Sequence, residues 1–271
     1  FQQLDGARPA SGGAGTPVTP GGNPTPGGPP MGNPGGSGGE GAWAGIISPT
    51  TLEDEIKANK LLVDQTVTTP TDFRGKGYIE ARTQFTMIAT MLAVIGEYNG
   101  DVRWKDKAPG AREVFARSAA NCKVGTVQAY NEAKIRKEDL EILLGGGALD
   151  LPPAEAKVTD WSTVCDRNPL MKRLRLAQRD NLSPLLANEG EFKGNTEKLL
   201  HEAETSVVIP EILKQETMVD GTEADYQEFC ESMKKGGLQI VDAVKLGSYE
   251  NARSGLGDIM KACDLCHEAY R

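Results

Sequence analysis

Histidine is almost absent from this chain. Of 271 residues two are histidine, His201 and His267, so none precedes position 201. Basic residues are outnumbered, 30 against 38 acidic ones, and the formal net charge is −8. Phosphate binding needs a basic surface, so a nucleic-acid partner is not expected. A mildly acidic surface suits a basic redox partner instead, at low salt. No run of eighteen apolar residues occurs, and no segment is expected to span a membrane. No stretch alternates apolar and polar residues at a period of two, so strands are not expected and the fold class is all-α. No second C-x-x-C and no H-x-x-x-H exists, which disfavours a four-ligand structural zinc site. The lack of strand–helix alternation disfavours a thioredoxin-like role for the one C-x-x-C that is there.

What is present lies at the end of the chain. Cys263-Asp264-Leu265-Cys266-His267 places a histidine directly after the second of two cysteines three apart, the spacing of c-type haem attachment. Each thiol adds across one vinyl group of the porphyrin, and the imidazole reaches the iron from one face. On a helix, Cys263, Cys266 and His267 fall on one side. With five Cys and two His, chance would produce this pattern in roughly one such sequence in a thousand. One covalently attached haem c, with one iron, is expected per chain, with Cys263 and Cys266 as thioether partners and His267 as the metal ligand.

With Tyr270 and Arg271 after it, the motif reads C-x-x-C-H-x-x-Tyr-Arg on a terminal helix. Residues 166–271 therefore resemble the cytochrome c prime family, specifically at the motif and generically elsewhere. The resemblance implies a four-helix bundle with one haem near its C-terminus. It also implies a five-coordinate iron whose distal face is closed by an apolar residue of the first helix. Arg271, one turn beyond His267, would sit near the imidazole. Lys172 or Arg173 would lie near the propionates, with Leu176 or Ala177 one turn later as the distal residue. Met171 offers a thioether as an alternative sixth ligand. The basic row Lys172, Arg173, Arg175 and Arg179 otherwise reads as a solvated face, and His201 as a surface or core-edge histidine. The implied function is electron transfer. The alternative is binding of nitric oxide or carbon monoxide at a five-coordinate haem. A redox partner protein or a small gas is the implied partner, and a homodimer is the family's usual pairing. No catalytic residue is assigned and the chain is not read as an enzyme; a peroxidase-like role is disfavoured because no second histidine stands where a distal acid–base would be.

The chain opens on Phe1 rather than Met, which reads as a mature chain freed of a secretory signal. Covalent haem attachment in bacteria takes place outside the cytoplasm, so a periplasmic or otherwise extracytoplasmic location is expected. Cys122, Cys165 and Cys230 remain. They supply either one disulfide and one free thiol, or three buried thiols acting as small hydrophobes.

Along the chain, residues 1–47 are rich in Gly and Pro, with eight of the 16 prolines before position 49. They hold too little apolar surface to offset the entropy of ordering, and read as a disordered tether. Ser48-Pro49 is a helix start. Residues 48–147 read as a haem-free four-helix domain. Its helices are expected to run from Ser48 to about Val67, from Tyr78 to Tyr98, and from Pro109 to about Ala133 with Val124 and Val127 inward. A short fourth helix follows over Arg136–Leu144. Gly145-Gly146-Gly147 and Pro152-Pro153 mark 148–165 as a linker. Residues 166–271 read as the haem-binding domain, with helices starting near Pro169, Asn195, Asp225 and Tyr249. The third of that domain's start signals opens a helix to Leu246, and Pro210 lies inside the second.

Four helices followed by four suggest an internal repeat. Phe73-Arg74-Gly75 recurs as Phe192-Lys193-Gly194. Phe115, Val127 and Ala129 recur in spacing as Phe229, Val241 and Ala243. The last helix of the first half ends in glycine without C-x-x-C-H, so that half reads as a degenerate copy with a structural role.

Overall fold

The computed structural model describes residues 43–152 and 159–270. Most of the expected tether, part of the linker and Arg271 lie outside them. Among the described residues there is no strand, and the chain is all-helical as expected.

Eight helices of nine or more residues carry the fold among the described residues. Helix α1 is Pro49–Thr66, opened by the Ser48 hydroxyl, which accepts from the Thr51 N–H and satisfies an otherwise orphaned donor. Helix α2 is Tyr78–Glu97 and α3 is Ala108–Asn121. Helix α4 is Val127–Leu144, α5 is Arg167–Arg175 and α6 is Thr196–Leu213. Helix α7, Ala224–Leu246, stops at Gly247, whose φ of 67° suits glycine. Helix α8 is Tyr249–Ala269. Beyond α5 the helical path runs on past Asn181. It continues through the wider π-helical turns Leu176–Leu182 into Ser183–Leu185.

One boundary differs from the sequence reading. The third helix stops at Asn121, and the fourth starts at Val127 rather than Arg136. Gly125 makes the break: a Cβ there would lie 2.7 Å from the Tyr78 ring and 3.0 Å from the Arg74 carbonyl oxygen. Thr126 then caps α4 by accepting from the Ala129 N–H. Val124 and Val127 flank the turn and are exposed, not inward. Val127 and Ala129 consequently open a fourth helix, whereas Val241 and Ala243 lie within a third one, so that part of the repeat match does not hold.

Another periodicity does hold. On α2, Ala81 and the run Gln84–Ile95 are buried; on α6, Leu199 and the run Glu202–Leu213 are buried, each 118 positions later. Helices buried on nearly every side lie in the middle of the fold. Phe73 meets the Tyr130 ring at 5.6 Å, and Phe192 meets Tyr249 at 5.8 Å, both partners shifted by 119. The two tyrosines also share a role, since Tyr130 Oη donates to the Thr68 carbonyl and Tyr249 Oη to that of Leu186.

Helix α1 packs against α6, and α2 against α5. The start of each first helix is tied to the second helix of the other half. Ser48 donates through N–H and hydroxyl to Glu204 (3.0 and 2.8 Å). Asp166, before α5, accepts from Arg82 at 2.7 Å. One apolar cluster runs from Trp43 to Cys266 and draws on all eight helices, while a second, from Leu182 to Ile259, lies within the later half.

Candidate functional site

Cys263, Cys266 and His267 lie on the unbroken α8. A helix turns about 100° per residue, so the three span an arc of about 100°. Cys266 is buried at one edge of the arc, Cys263 is half-buried in the middle, and His267 is exposed at the other edge. The Cys263 Sγ lies 3.6 Å from Met233 Sδ on α7. Burial pushes the Cys263 thiol up to about 11 and raises that of Cys266.

The end of α8 is pinned by aromatic contacts. Tyr270 packs edge-on against Tyr226 at 5.1 Å and Phe229 at 6.3 Å, and its hydroxyl donates to Glu223. Tyr226 is fully buried beside Cys230 and Cys266, with the Arg167 guanidinium 5.9 Å over its ring. Its hydroxyl is buried, with the Arg167 guanidinium as the one polar group beside it that acts against the rise in its pKa. Burial, then the neighbouring thiols, push it up to about 12. Arg167 itself pairs with Asp220. A buried thiol, a half-buried thiol and an imidazole at the rim are the donor set that would hold a c-type haem.

The remaining candidates are placed as follows. Met171 is half-buried against the same cluster as Cys263. Leu176 is exposed at the start of the π-helical turns that pack on α8, where Met260 is also exposed. Ala177 and Leu174 are buried, and Lys172 and Arg175 are exposed. Arg271 lies outside the described residues. Cys122, Cys165 and Cys230 are buried and unbonded, the second of the two alternatives for them.

Arg173 is not on a solvated face. Its Nε and Nη2 donate to the two carboxylate oxygens of Glu55, each at 2.8 Å, and its Nη1 donates to Glu202 at 2.7 Å. His201 Nε2 lies 2.8 Å from Glu55 Oε2. Asn59 and Asn181 donate to the carboxylates of Glu55 and Glu202. Burial alone would raise the Glu55 carboxyl, but Arg173 and then His201 hold it well below its ordinary value. Burial would lower His201, yet the hydrogen bond and charge of Glu55 raise it. With His201 protonated, two carboxylates face two cations and the cluster is neutral. The sequence reading missed Glu55 and Glu202. The one available signal was Glu55, at helical spacing from Leu52 and next to Ile56 on the inward stripe.

Compared with protein families, with curated proteins and with solved structures, the chain matches none.

Proposed function

We propose that this chain is a monohaem c-type cytochrome of cytochrome c prime type, carrying electrons outside the cytoplasm. The observation that carries the reading is C-x-x-C-H on one arc of an unbroken terminal helix, both thiols turned toward the interior and His267 at the rim. Cys263 and Cys266 would hold the group covalently, and His267 would be the axial ligand. The group would supply an iron centre that cycles between ferrous and ferric forms. The chain's own part is to exclude water from one side of the site with Leu256 and Ile259, both buried on α8, and to hold the motif in register through Tyr270.

A specific observation favours the second reading, binding of nitric oxide or carbon monoxide. A sixth ligand would have to come from the chain, and the other imidazole, His201, is engaged with Glu55. Helix α5 offers Met171, and the π-helical turns that follow it offer Leu176, which has no lone pair to give. An apolar side chain there leaves a site that a small neutral ligand can enter, while desolvation resists a charged one.

The tandem arrangement belongs to the same proposal. At the offset of 119 set by Tyr130 and Tyr249, Leu144, Gly147 and Ala148 stand where Cys263, Cys266 and His267 stand. The earlier half is then a haem-free four-helix copy. The reciprocal packing of α1 on α6 and α2 on α5 is the pattern of a two-fold interface, so this copy would take the place of a second subunit.

Intact mass under denaturing conditions tests the reading. One haem adduct that organic solvent does not extract is expected on chain matured with haem-attachment machinery, and Cys263→Ala with Cys266→Ala should abolish it. An adduct mapped to Cys122, Cys165 or Cys230 would overturn the assignment. Electron paramagnetic resonance separates the two roles. A high-spin ferric signal supports an open sixth position, whereas a low-spin signal that turns high-spin in Met171→Ala leaves electron transfer alone.

A further inference from the structure

The interface between α7 and α8 sets a third thiol against the motif. The two helices are antiparallel neighbours, joined only by Gly247 and Ser248. Their register is fixed at both sides of the point of interest. Tyr226 meets Tyr270 at 5.1 Å. Seven residues further along α7, Met233 Sδ meets Cys263 Sγ at 3.6 Å, seven residues back along α8. Four residues on from Tyr226 is Cys230, and four back from Tyr270 is Cys266. The pair therefore faces across the interface between two fixed contacts, and both residues are buried in the same cluster. Farther along, the helices meet backbone to backbone: a Cβ on Gly236 would lie 2.7 Å from the Gly255 carbonyl oxygen.

We propose that Cys230 and Cys266 form a reversible disulfide in the haem-free chain, which occupies the second thiol of the motif until it is reduced. The proposal rests on the reading of Cys266 as a haem-attachment thiol. Three arguments select this pair. Cys263 faces a thioether, which cannot form a disulfide, whereas Cys266 faces a thiol. Within an intact helix, residues three apart keep their Cβ atoms about 5–6 Å from one another, but a disulfide needs about 3.5–4.5 Å. A Cys263–Cys266 bond would therefore unwind α8, and a cross-helix bond leaves it intact. Cys266 also lies in the last turn of α8, which ends at Ala269, so only that turn and the Tyr270 contacts need open for an oxidant to reach it. The oxidant is a small-molecule disulfide. Cys266 gives up its thiol proton and attacks one sulfur of the oxidant, releasing one thiol and forming a mixed disulfide. Cys230 gives up its proton and attacks the Cys266 sulfur, releasing the second thiol. The protein loses two hydrogens and two electrons, and the oxidant gains both.

The test uses the full-length chain produced without haem, exposed to oxidised glutathione, alkylated, digested and mapped by mass spectrometry. A peptide pair linking Cys230 to Cys266 is expected, with Cys263 alkylated and loss of alkylation at Cys266. Dithiothreitol should restore that alkylation. Mapping needs no variant to fold, and Cys230→Ala serves as the control in which Cys266 stops at the mixed disulfide with glutathione and no cross-link forms. A Cys263–Cys266 link, or only mixed disulfides with glutathione, would overturn the proposal. The haem reading fails separately: it fails if matured protein carries no adduct, whichever cysteines are found linked.

Discussion

Arg173 is where local sequence and three-dimensional environment disagree most. Read locally, it stands in a basic row with Lys172, Arg175 and Arg179, and such rows are usually solvated. Its main partner, Glu55, lies 118 positions earlier, and no local period can report a contact across that distance. The structure buries both, and a buried ion pair is strongly destabilising only when one member is removed. Arg173→Met should therefore lower the free energy of unfolding in urea by about 3–5 kcal/mol. Adding Glu55→Met should recover part of the loss, and a double variant weaker than the single one would show that the pair does not act as a unit. The same cluster predicts a pH dependence. His201 is raised above its ordinary 6.5, so the stability it contributes is fully present below that value. It is lost as pH rises through the folded value. Glu55 runs the other way: its contribution is present above its ordinary 4.5 and is lost as pH falls through its depressed folded value. Urea midpoints at about pH 5.5 and about pH 8.5 bracket the histidine. Wild type should be more stable at the lower pH, and His201→Gln should remove most of that difference. An unchanged difference would place the titrating group elsewhere.

Among the elements, α8 was the most legible. Its start near Tyr249 and the inward positions of Leu256, Ile259 and Cys263 follow from spacing, whereas Met260, which the same spacing sets beside them, is exposed. The α3–α4 break was the least legible. The apolar residues around it continue a helical period in the sequence, while Gly125 is forced by the backbone of Arg74, which only the folded chain brings near. Glycines in α8 show the same dependence on neighbours. Gly255 faces α7 so closely that a Cβ would lie 2.6 Å from the Gly236 carbonyl oxygen, whereas Gly257, two residues on, has nothing within 4 Å. Alanine favours a helix interior over glycine by about 1 kcal/mol. Overpacking against a fixed backbone costs about 1–3 kcal/mol. Gly257→Ala should thus stabilise and Gly255→Ala destabilise, although the two substitutions are chemically identical and lie in one helix. Thermal unfolding followed by circular dichroism reads both signs, and like signs would mean that α7 and α8 can shift apart without loss.

For the whole molecule, the proposed repeat is legible in the sequence as an ordering of eight helices and as the match of Phe73-Arg74-Gly75 with Phe192-Lys193-Gly194. Its strongest signs, the matched burial of α2 and α6 and the two Phe–Tyr pairs, needed the packing to be seen. The packing also joins the halves. Glu55 of α1 is charge-balanced by Arg173 of α5, and the N-terminus of α1 is held by Glu204 of α6. Separating the halves would remove Arg173 and His201 from Glu55 and bare the faces where α1 meets α6 and α2 meets α5. Exposing that much packed surface is costly for a molecule whose total stability is only about 5–15 kcal/mol. The two halves should therefore unfold together. Two probes on opposite sides of the linker decide this. Tryptophan fluorescence reports Trp43, Trp104 and Trp161, at or before the linker. Alkylation of Cys230, which is fully buried in α7, reports the later half. In urea the two should give coincident transitions with one midpoint, the signature of an all-or-none process. A fluorescence transition that is complete while Cys230 is still protected would show that the later half stands alone, with the junction contributing little. Arg173→Met sharpens the comparison, because a cooperative molecule moves both midpoints by the same amount when its junction is weakened.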